Sequence, residues 1–501
     1  LHFHEFIFKL KYVLILIKVL TMAKHTVTLI PGDGIGPEVT GATRRIIDST
    51  GVSINWEVCE AGAAVFKKGL GTGVPEETVN SIHKNRVALK GPLETPIGFG
   101  EKSANVTLRK MFETYGNIRP VKEIPGVPTP FVGRGIDFVI VRENVEDLYA
   151  GIEHMQTPGL AQCLKLISRK GCEKIVRLAF EFARSEGRKS VACATKANIM
   201  KLSEGMLKRT FEDIAPEYPE IESSHIIVDN CAHMLVKHPE NFDVIVTTNM
   251  NGDILSDLGS ALIGGLGFAP GANIGDDISI FEAVHGSAPK YAGKNNINPT
   301  AVLLSGVMML RHLHEFDAAE AIEHAVYLTL SDGILTRDVV GDARSVSTTD
   351  FTDAIIDNLG KKYSKYEARP FKAIDIKRMS KNPVVVTPKT RSVDGIDVFI
   401  ETAEDMKVLG PKVESFLSTT EFSLKLISCR GVKVYPVHST TSPDMIDEVR
   451  LRLMKNNNGH TTDSDILKLL AGLQEFIQWS HIEKLHRFDD KPAYSKSHGE
   501  D

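Results

Sequence analysis

Cysteine is scarce and unpatterned in this chain: Cys59, Cys163, Cys172, Cys193, Cys231 and Cys429 never fall into a C-x-x-C spacing. Scattered thiols of this kind fit a reducing compartment, and they are expected to be buried or inert. Positive charge is not in excess either. The formal net charge is -5 over 501 residues and no basic stripe stands out, so a nucleic-acid surface is not expected.

Long apolar runs are missing too. Residues 1–21 are the most apolar stretch, but Lys9, Lys11 and Lys18 interrupt them and leave Tyr12 to Ile17 as the longest unbroken part. That is far short of the roughly 20 residues a membrane-spanning helix needs. The segment also lacks a small-residue cleavage site and contains no arginine, which argues against a secretory signal and a typical mitochondrial presequence. It is expected to be translated upstream sequence ahead of Met22, with an interfacial amphipathic helix as the alternative. A cytoplasmic protein with no membrane partner is the resulting expectation.

With 501 residues and 42% hydrophobic composition, the chain can bury a sizeable core and should split into two or more domains. Short apolar runs alternate with helical stretches, as in an α/β protein. Strands are predicted at Phe138–Val141, Ser190–Ala194, Ile226–Val228 and Val244–Val246, and helices at Glu76–Ile82 and Thr107–Phe112. Residues 361–392, rich in Lys, Arg, Tyr and Pro, read as a linker. Beyond it, Gly395–Glu401, Phe422–Ile427 and Val432–Tyr435 alternate as strands, the last two joined across Arg430-Gly431. Ser464 is placed to cap a helix that buries Ile466, Leu469, Leu470, Leu473, Phe476 and Ile477.

Four segments carry chemistry. The stretch from Lys90 to Pro120 brings Ser103, Asn105, Arg109 and Arg119 together beside a Gly/Pro-punctuated loop. The planar guanidinium matches a carboxylate in two parallel hydrogen bonds, so arginines near small donors suggest a polycarboxylate pocket, against the plainer reading of surface arginines on a solvated helix. Next, Arg142 follows a buried strand and leads to Tyr149; it reads as a further clamp or as a strand-end salt bridge with Glu143 or Glu146. Third, Asp253 and Asp257 stand one helical turn apart, where like charges repel unless a cation lies between them. With no cysteine or histidine alongside, Mg²⁺ or Mn²⁺ suits the pair better than zinc, while a helix N-cap would explain Asp253 alone. Last, the loop from His285 to Gly293, ending in Asn298-Pro299, offers exposed amides with His285 and Lys290 that could hold phosphate groups, or is an ordinary surface loop.

Together with the opening Thr26–Glu38, these segments, in this order, resemble the decarboxylating β-hydroxyacid dehydrogenase family and, within it, the isocitrate dehydrogenases. The Gly32-Asp33-Gly34-Ile35-Gly36 turn is not a Rossmann fingerprint, because its spacing is wrong and Pro37 follows directly. The resemblance implies that family's non-Rossmann α/β fold, with a large domain from residues 22–115 and 265–360 and a small domain at 116–264. The small domain would carry a dimer clasp near residues 150–175, where Cys163–Arg169 shows alternation, and 393–501 would form a small α+β domain like the extension of the longer bacterial enzymes.

The resemblance also implies roles. Ser103, Asn105, Arg109, Arg119 and Arg142 match the substrate-binding positions, Tyr149 and Lys196 the proton-handling pair, and Asp229, Asp253 and Asp257 the metal ligands. Thr95, His285, Gly286, Ser287, Ala288, Lys290, Tyr291 and Asn298 match cofactor positions. Lys290 and Tyr291 favour NADP over NAD through its 2′-phosphate, with Arg344 the nearest candidate for a further phosphate ligand. The implied activity is metal-dependent oxidative decarboxylation of isocitrate in the tricarboxylic acid cycle, by a homodimer in which Lys196 and Asp229 reach the neighbouring subunit's site. A hydroxyl and an amide at Ser103 and Asn105 suit the extra carboxylate of isocitrate, whereas an apolar pocket would suit an alkylmalate. Homoisocitrate or another 3-substituted malate is the alternative substrate. A non-catalytic regulatory subunit is the alternative of another class, expected to lack the metal or tyrosine ligands that are all present here.

Overall fold

The computed structural model describes residues 24–94, 103–365, 369, 371–372, 374, 386–437 and 443–500. The predicted upstream segment and Thr95 lie outside the described residues. Two compact units emerge. One comprises residues 24–149 and 167–374, and the other combines Ala150–Leu166 with residues 386–500.

The first unit is built on a mixed sheet whose strands are β1 (His25–Ile30), β2 (Ile54–Val58), β3 (Val87–Lys90), β4 (Gly116–Lys122) and β5 (Asp137–Glu143). After a separate hairpin of β6 (Glu153–Thr157) and β7 (Leu160–Cys163), it continues with β8 (Ser190–Thr195), β9 (Glu222–Ile227), β10 (Val244–Thr247), β11 (Pro270–Ile274) and β12 (Ser279–Ala283). The strand order is β2-β1-β3-β12-β11-β4-β5-β10-β8-β9. Both wings are parallel, and they meet through an antiparallel middle in which β11 pairs with β12 and β4, and β4 with β5. This is not the doubly wound order of a nucleotide-binding Rossmann sheet.

The central strands read as near-continuous apolar runs because helices cover both faces of a parallel sheet. Phe138, Val139, Ile140 and Val141 on β5 and Val244, Ile245 and Val246 on β10 are fully buried in the main core. The predicted strand at Ile226–Val228 ends one residue sooner, because Val228 begins the next helix, Val228–Lys237.

The second unit runs β13 (Arg391–Glu401), helix Met406–Leu417, β14 (Phe422–Cys429), β15 (Val432–Tyr435), β16 (Glu448–Lys455), helix Asp463–Leu473, β17 (Trp479–Phe488) and β18 (Lys491–Pro492). Its sheet order, β15-β14-β16-β13-β17-β18, is a βαββαβ arrangement with short strands added at both edges. Arg430 and Gly431 both take positive φ between β14 and β15, as a two-residue hairpin turn requires. The β6–β7 hairpin groups with this unit: Thr157 Oγ1 donates to Asp447 at 2.5 Å, and Gln156 Oε1 lies 3.2 Å from His481 Nδ1.

Two local expectations are corrected. The Asp463–Leu473 helix is capped by Thr462, which exchanges hydrogen bonds with Asp465 in a capping box, and not by Ser464. Phe476 lies beyond that helix and is exposed, whereas Ile466, Leu469, Leu470, Leu473 and Ile477 are buried as expected. All six cysteines are free; Cys172, Cys193, Cys231 and Cys429 are buried, Cys59 is half-buried and Cys163 is exposed on β7.

Candidate functional site

Register builds the site before any side-chain contact is considered. Residues directly opposite one another across a ladder share a sheet face, and so do residues two apart along a strand. Glu282 on β12 sits opposite Lys90 on β3; Asn273 on β11 sits opposite Asn117 on β4, which in turn sits opposite Arg142 on β5. Asn273 also faces Ile280, two residues from Glu282, and Arg119 lies two residues from Asn117. Five adjacent strands therefore direct Lys90, Glu282, Asn273, Asn117, Arg119 and Arg142 to one face. The opposite face, through Ile118 and Pro120, lines an apolar cavity of about 380 Å³ with Phe268, Leu304 and Phe371, and none of the predicted site residues takes part in it.

Charges on the site face are buried, so each must be paired. Glu282 accepts Lys90 Nζ at 2.6 Å, Arg109 Nη2 at 2.9 Å and Asn273 Nδ2 at 2.7 Å. Burial opposes its ionisation, but Lys90 and Arg109 outweigh it and hold the carboxyl well below the usual range. Amides carry the network onward: Asn117 Nδ2 donates to Asn273 Oδ1 at 2.6 Å, and Arg119 Nε to Asn117 Oδ1 at 2.8 Å. The composition of the chain points to none of this, and sequence reasoning missed Lys90 and Glu282. Lys90 does begin the Lys90–Pro120 stretch, but only the register reveals its partner.

The helix Asn249–Leu262 lies against this face and starts at Thr248, which overturns the idea that Asp253 is its N-cap. Gly252 lets Arg142 lie flat along the helix, since a Cβ there would come within 2.6 Å of Arg142 Cγ. Arg142 donates to the carbonyl of Asn249 at 2.9 Å and to its side-chain oxygen at 2.7 Å, and it also pairs with Asp253. Asp253 further accepts Arg119 Nη1 at 3.1 Å and the Tyr149 hydroxyl at 2.5 Å. Burial works against the charge on Asp253, yet Arg142 and Arg119 keep its carboxyl below the ordinary range. Burial and the neighbouring arginines push Arg142 and Arg119 down. Burial, with the hydrogen bond to Asp253, pushes Tyr149 up and keeps the phenol protonated.

Unused polar capacity faces the same cluster. Ser103 precedes the helix Ala104–Met111, which carries Asn105 and Arg109. Asn105 Oδ1 and Arg109 Nε are buried without a hydrogen-bond partner among the described residues. Such atoms call for a partner, supplied by ordered water or by a ligand. Four cations, Lys90, Arg109, Arg119 and Arg142, thus meet the carboxylates of Glu282, Asp253 and Asp257, which leaves the face net positive.

Asp257 is exposed one turn beyond Asp253, and burial together with Asp253 raises its carboxyl, partly offset by Arg119. Two carboxylates on one helix face, with only oxygen donors, fit a hard divalent cation. Among the described residues no three His, Cys, Asp or Glu side chains of one chain gather as a metal nest. Asp229 is instead paired with Lys196, whose Nζ lies 2.9 Å away. This pair sits just past the ends of β8 and β9, and among the described residues no hydrogen bond or ion pair joins it to Asp253.

The loop after β12 packs onto the turn after β1. Ile35 N–H donates to Ser287 O at 2.9 Å, and Gly34, at φ +58°, admits this approach because a Cβ there would lie 2.0 Å from that oxygen. His285 Nε2 is buried without a partner among the described residues, and burial lowers the imidazole pKa. Gly286 is exposed beside it, Ala288 takes a left-handed φ of 37°, and Asn298 is buried and donates to Asp338 at 3.0 Å. Lys290 Nζ and the Arg337 guanidinium each lie 5.0 Å from the Tyr291 ring centroid. Arg337 and then Lys290 lower the phenol's pKa. Lys294 Nζ lies 5.6 Å from the same centroid, so the further cations over this ring are Arg337 and Lys294 and not Arg344, which is exposed in the next turn with its N–H closing onto Gly341 O. The Thr336-Arg337-Asp338 stretch carries no separate signal; loop folding alone brings it over Tyr291.

A site of clustered arginines, paired aspartates on one helix face and a glycine-supported loop, carried on this mixed sheet, defines an α/β dehydrogenase of the non-Rossmann type. The chain belongs to the isocitrate/isopropylmalate dehydrogenase family, which it matches over residues 26–355. Residues 391–500 match the C-terminal domain of bacterial isocitrate dehydrogenase. Among similar proteins, the isocitrate dehydrogenase [NADP] of Thermus thermophilus is 59% identical over 484 residues, covering 96% of this chain and 97% of that one. The isocitrate dehydrogenase [NADP] of Rickettsia conorii is 38% identical over 486 residues, covering 96% and 100%. A crystal structure of a Thermus thermophilus protein superposes with a TM-score of 0.91 at 59% identity, covering 95% of this chain and 96% of that one.

Proposed function

We propose that this protein oxidises isocitrate at C2 with NADP as hydride acceptor and decarboxylates the product to 2-oxoglutarate and CO₂. The observation that carries the reading is the net-positive sheet face, where Arg109, Arg119 and Arg142 converge with unused capacity at Asn105 and Arg109. Three carboxylates on the substrate answer three guanidinium groups, each able to bind in two parallel hydrogen bonds. Ser103 and Asn105 offer a hydroxyl and an amide where an alkylmalate would need apolar contact.

Bound Mg²⁺ or Mn²⁺, held by Asp253 and Asp257 with Asp229 of a neighbouring subunit, would lower the pKa of the C2 hydroxyl and stabilise the enolate after CO₂ leaves. The residues do the rest. Arg119 and Arg142 now occupy Asp253, so substrate entry exchanges one set of charge pairs for another instead of burying new charge. Lys196 would receive the C2 hydroxyl proton, and Tyr149, protonated at neutral pH, would return a proton to the enol carbon. The Lys290, Tyr291 and Arg337 cluster suits the 2′-phosphate of NADP.

Because Lys196 and Asp229 pair apart from Asp253, this reading makes the enzyme a homodimer with shared sites. It works in the cytoplasm; six free cysteines support a reducing compartment, and no described helix is long and apolar enough to cross a membrane. The test is isocitrate-dependent reduction of NADP that requires added Mg²⁺ or Mn²⁺. Asp253→Asn should abolish it, and should also abolish Mn²⁺ binding seen by electron spin resonance, while the protein stays folded. Full activity in Asp253→Asn, or turnover of homoisocitrate in preference to isocitrate, would overturn the assignment.

A further inference from the structure

One buried carboxylate lies between the two halves of the proposed site and has no assigned role. Glu204 stands in the first turn of the helix Ser203–Ile214 and is fully buried. Its Oε2 accepts the backbone N–H of Lys196 at 2.9 Å and Asn251 Nδ2 at 3.3 Å, while Oε1 accepts the Thr248 hydroxyl at 3.0 Å. Lys196 starts the tight turn that carries the proposed proton acceptor, with its carbonyl taking the N–H groups of Ile199 and Met200. Thr248 and Asn251 belong to the opening turn of the helix that bears Asp253 and Asp257.

The geometry at Thr248 shows that this link displaces an ordinary one. Thr248 is the N-cap residue, yet its hydroxyl makes no capping bond to the helix. It donates to Glu204 and accepts Asn251 Nδ2 at 3.0 Å, so the helix start is fastened sideways to Glu204. A neutral threonine usually stabilises its own helix by capping, and here that contribution is exchanged for a tie to another element.

We propose that Glu204 is a positioning residue that fixes the Lys196 turn against the helix of Asp253 and Asp257. Because Lys196 would serve the neighbouring subunit's site while Asp253 serves its own, Glu204 couples the two active sites of the dimer; this rests on the shared-site reading above. Among the described residues no hydrogen bond joins Glu204 to Arg109, Arg119 or Arg142, so its loss acts first on the placement of the proton acceptor and the aspartate helix and reaches substrate binding only through the Arg142 bonds to Asn249. Glu204→Gln keeps the volume but puts an NH₂ where an oxygen now accepts, so either Lys196 N–H or the Thr248 hydroxyl loses its partner.

The test uses heterodimers with one competent site. A chain with Lys196→Met supplies a working Asp253, and a chain with Asp253→Asn supplies a working Lys196. Activity of this heterodimer well above either mutant homodimer establishes the shared site; silence overturns that reading and the cross-site coupling with it. Glu204→Gln is then placed on one chain or the other. Both placements are expected to lower kcat, roughly ten- to a hundredfold for a displacement near 1 Å, with KM for isocitrate within about threefold. An effect from only one placement, or a matched rise in KM, overturns the coupling. Thr248→Val on the Asp253→Asn chain carries the test if Glu204→Gln does not fold. It removes the tie from that chain's helix start to Glu204 and so to the Lys196 turn that serves the competent site, so a several-fold drop in kcat at unchanged melting temperature supports the proposal, and no drop overturns it.

Discussion

Tyr149 donates its phenolic hydrogen to Asp253 at 2.5 Å, which joins the proposed proton donor to the proposed metal carboxylate in a single contact. Arg142 lies 5.0 Å from the same ring, so the phenol is held between a cation and an anion. Tyr149→Phe should leave the arginines and Asp253 in place but remove the proton. Decarboxylation of added oxalosuccinate is therefore expected to fall about 10²-fold or more, the usual scale for losing a general acid, while its reduction by NADPH is largely kept. Equal loss of both partial reactions would mean that Tyr149 positions substrate.

Glu282 gathers Lys90 and Arg109 beneath that cluster. Removing one member of a buried charge network costs about 3–5 kcal/mol, because the remaining charges stay buried. Glu282→Gln should melt well below the parent, and KM for isocitrate should rise because Arg109 loses its anchor. The carboxyl is held below its ordinary range despite burial, so its contribution is present above the unfolded carboxylate pKa of about 4.3 and fades as pH falls toward the folded value. The melting gap between parent and variant should accordingly narrow below about pH 4. A gap that widens there would reverse the assigned sign.

These two residues also mark what the sequence disclosed and what it withheld. The apolar runs of β5 and β10 were legible because a strand buried on both faces is apolar through its middle; Arg142 follows the first run at the end of β5, and Asp253 lies in the helix that follows β10. Glu282 sits in the short strand Ser279–Ala283 and becomes a site residue only because register sets it opposite Lys90, nearly two hundred positions earlier. The Asp463–Leu473 helix failed differently. Thr462 and Ser464 are both competent caps, and the choice falls to Thr462 because Asp465 is three residues on, where it completes a capping box. The alternation read at Cys163–Arg169 does not make a strand there, since β7 ends at Cys163 and a helix begins at Arg169, and nothing local announces that Thr157 reaches Asp447.

Glu143 behaves in the opposite sense to Glu282. It is buried and accepts the N–H groups of Val145 and Glu146 at 2.8 and 3.0 Å, at the start of the loop leading to Tyr149. Burial dominates and pushes its carboxyl up to about 7. The folded state then binds more protons than the unfolded state between about pH 4.3 and 7, so stability falls as pH rises through that window. Glu143→Gln should remove this dependence. Melting curves from pH 5 to 8 should show the variant gaining on the parent by up to about 3 kcal/mol, at 1.36 kcal/mol per pKa unit. Parallel curves would show that Glu143 titrates as an ordinary carboxylate.

The nucleotide loop yields the prediction that separates two arginines. Lys290, Lys294 and Arg337 surround Tyr291 and together present three cations and a phenol, whereas Arg344 stands in the exposed turn that follows. Arg337 is held by Asp342 at 2.5 Å, so a 2′-phosphate would compete with that carboxylate for the same guanidinium. Arg337→Ala should reduce kcat/KM with NADP about tenfold or more and leave NAD nearly unchanged, since each ~1.4 kcal/mol of lost phosphate contact is a factor of ten. Arg344→Ala should do little with either cofactor. Lys290→Asp with Tyr291→Ile should move the ratio further toward NAD, because it deletes two phosphate partners and adds an acceptor for a free ribose hydroxyl. Asp342→Asn sharpens the comparison: freeing Arg337 from its carboxylate should tighten NADP without touching NAD. If Arg344→Ala lowers NADP use and Arg337→Ala does not, the phosphate lies over the following turn, and the cations around Tyr291 serve only to shape the adenine pocket.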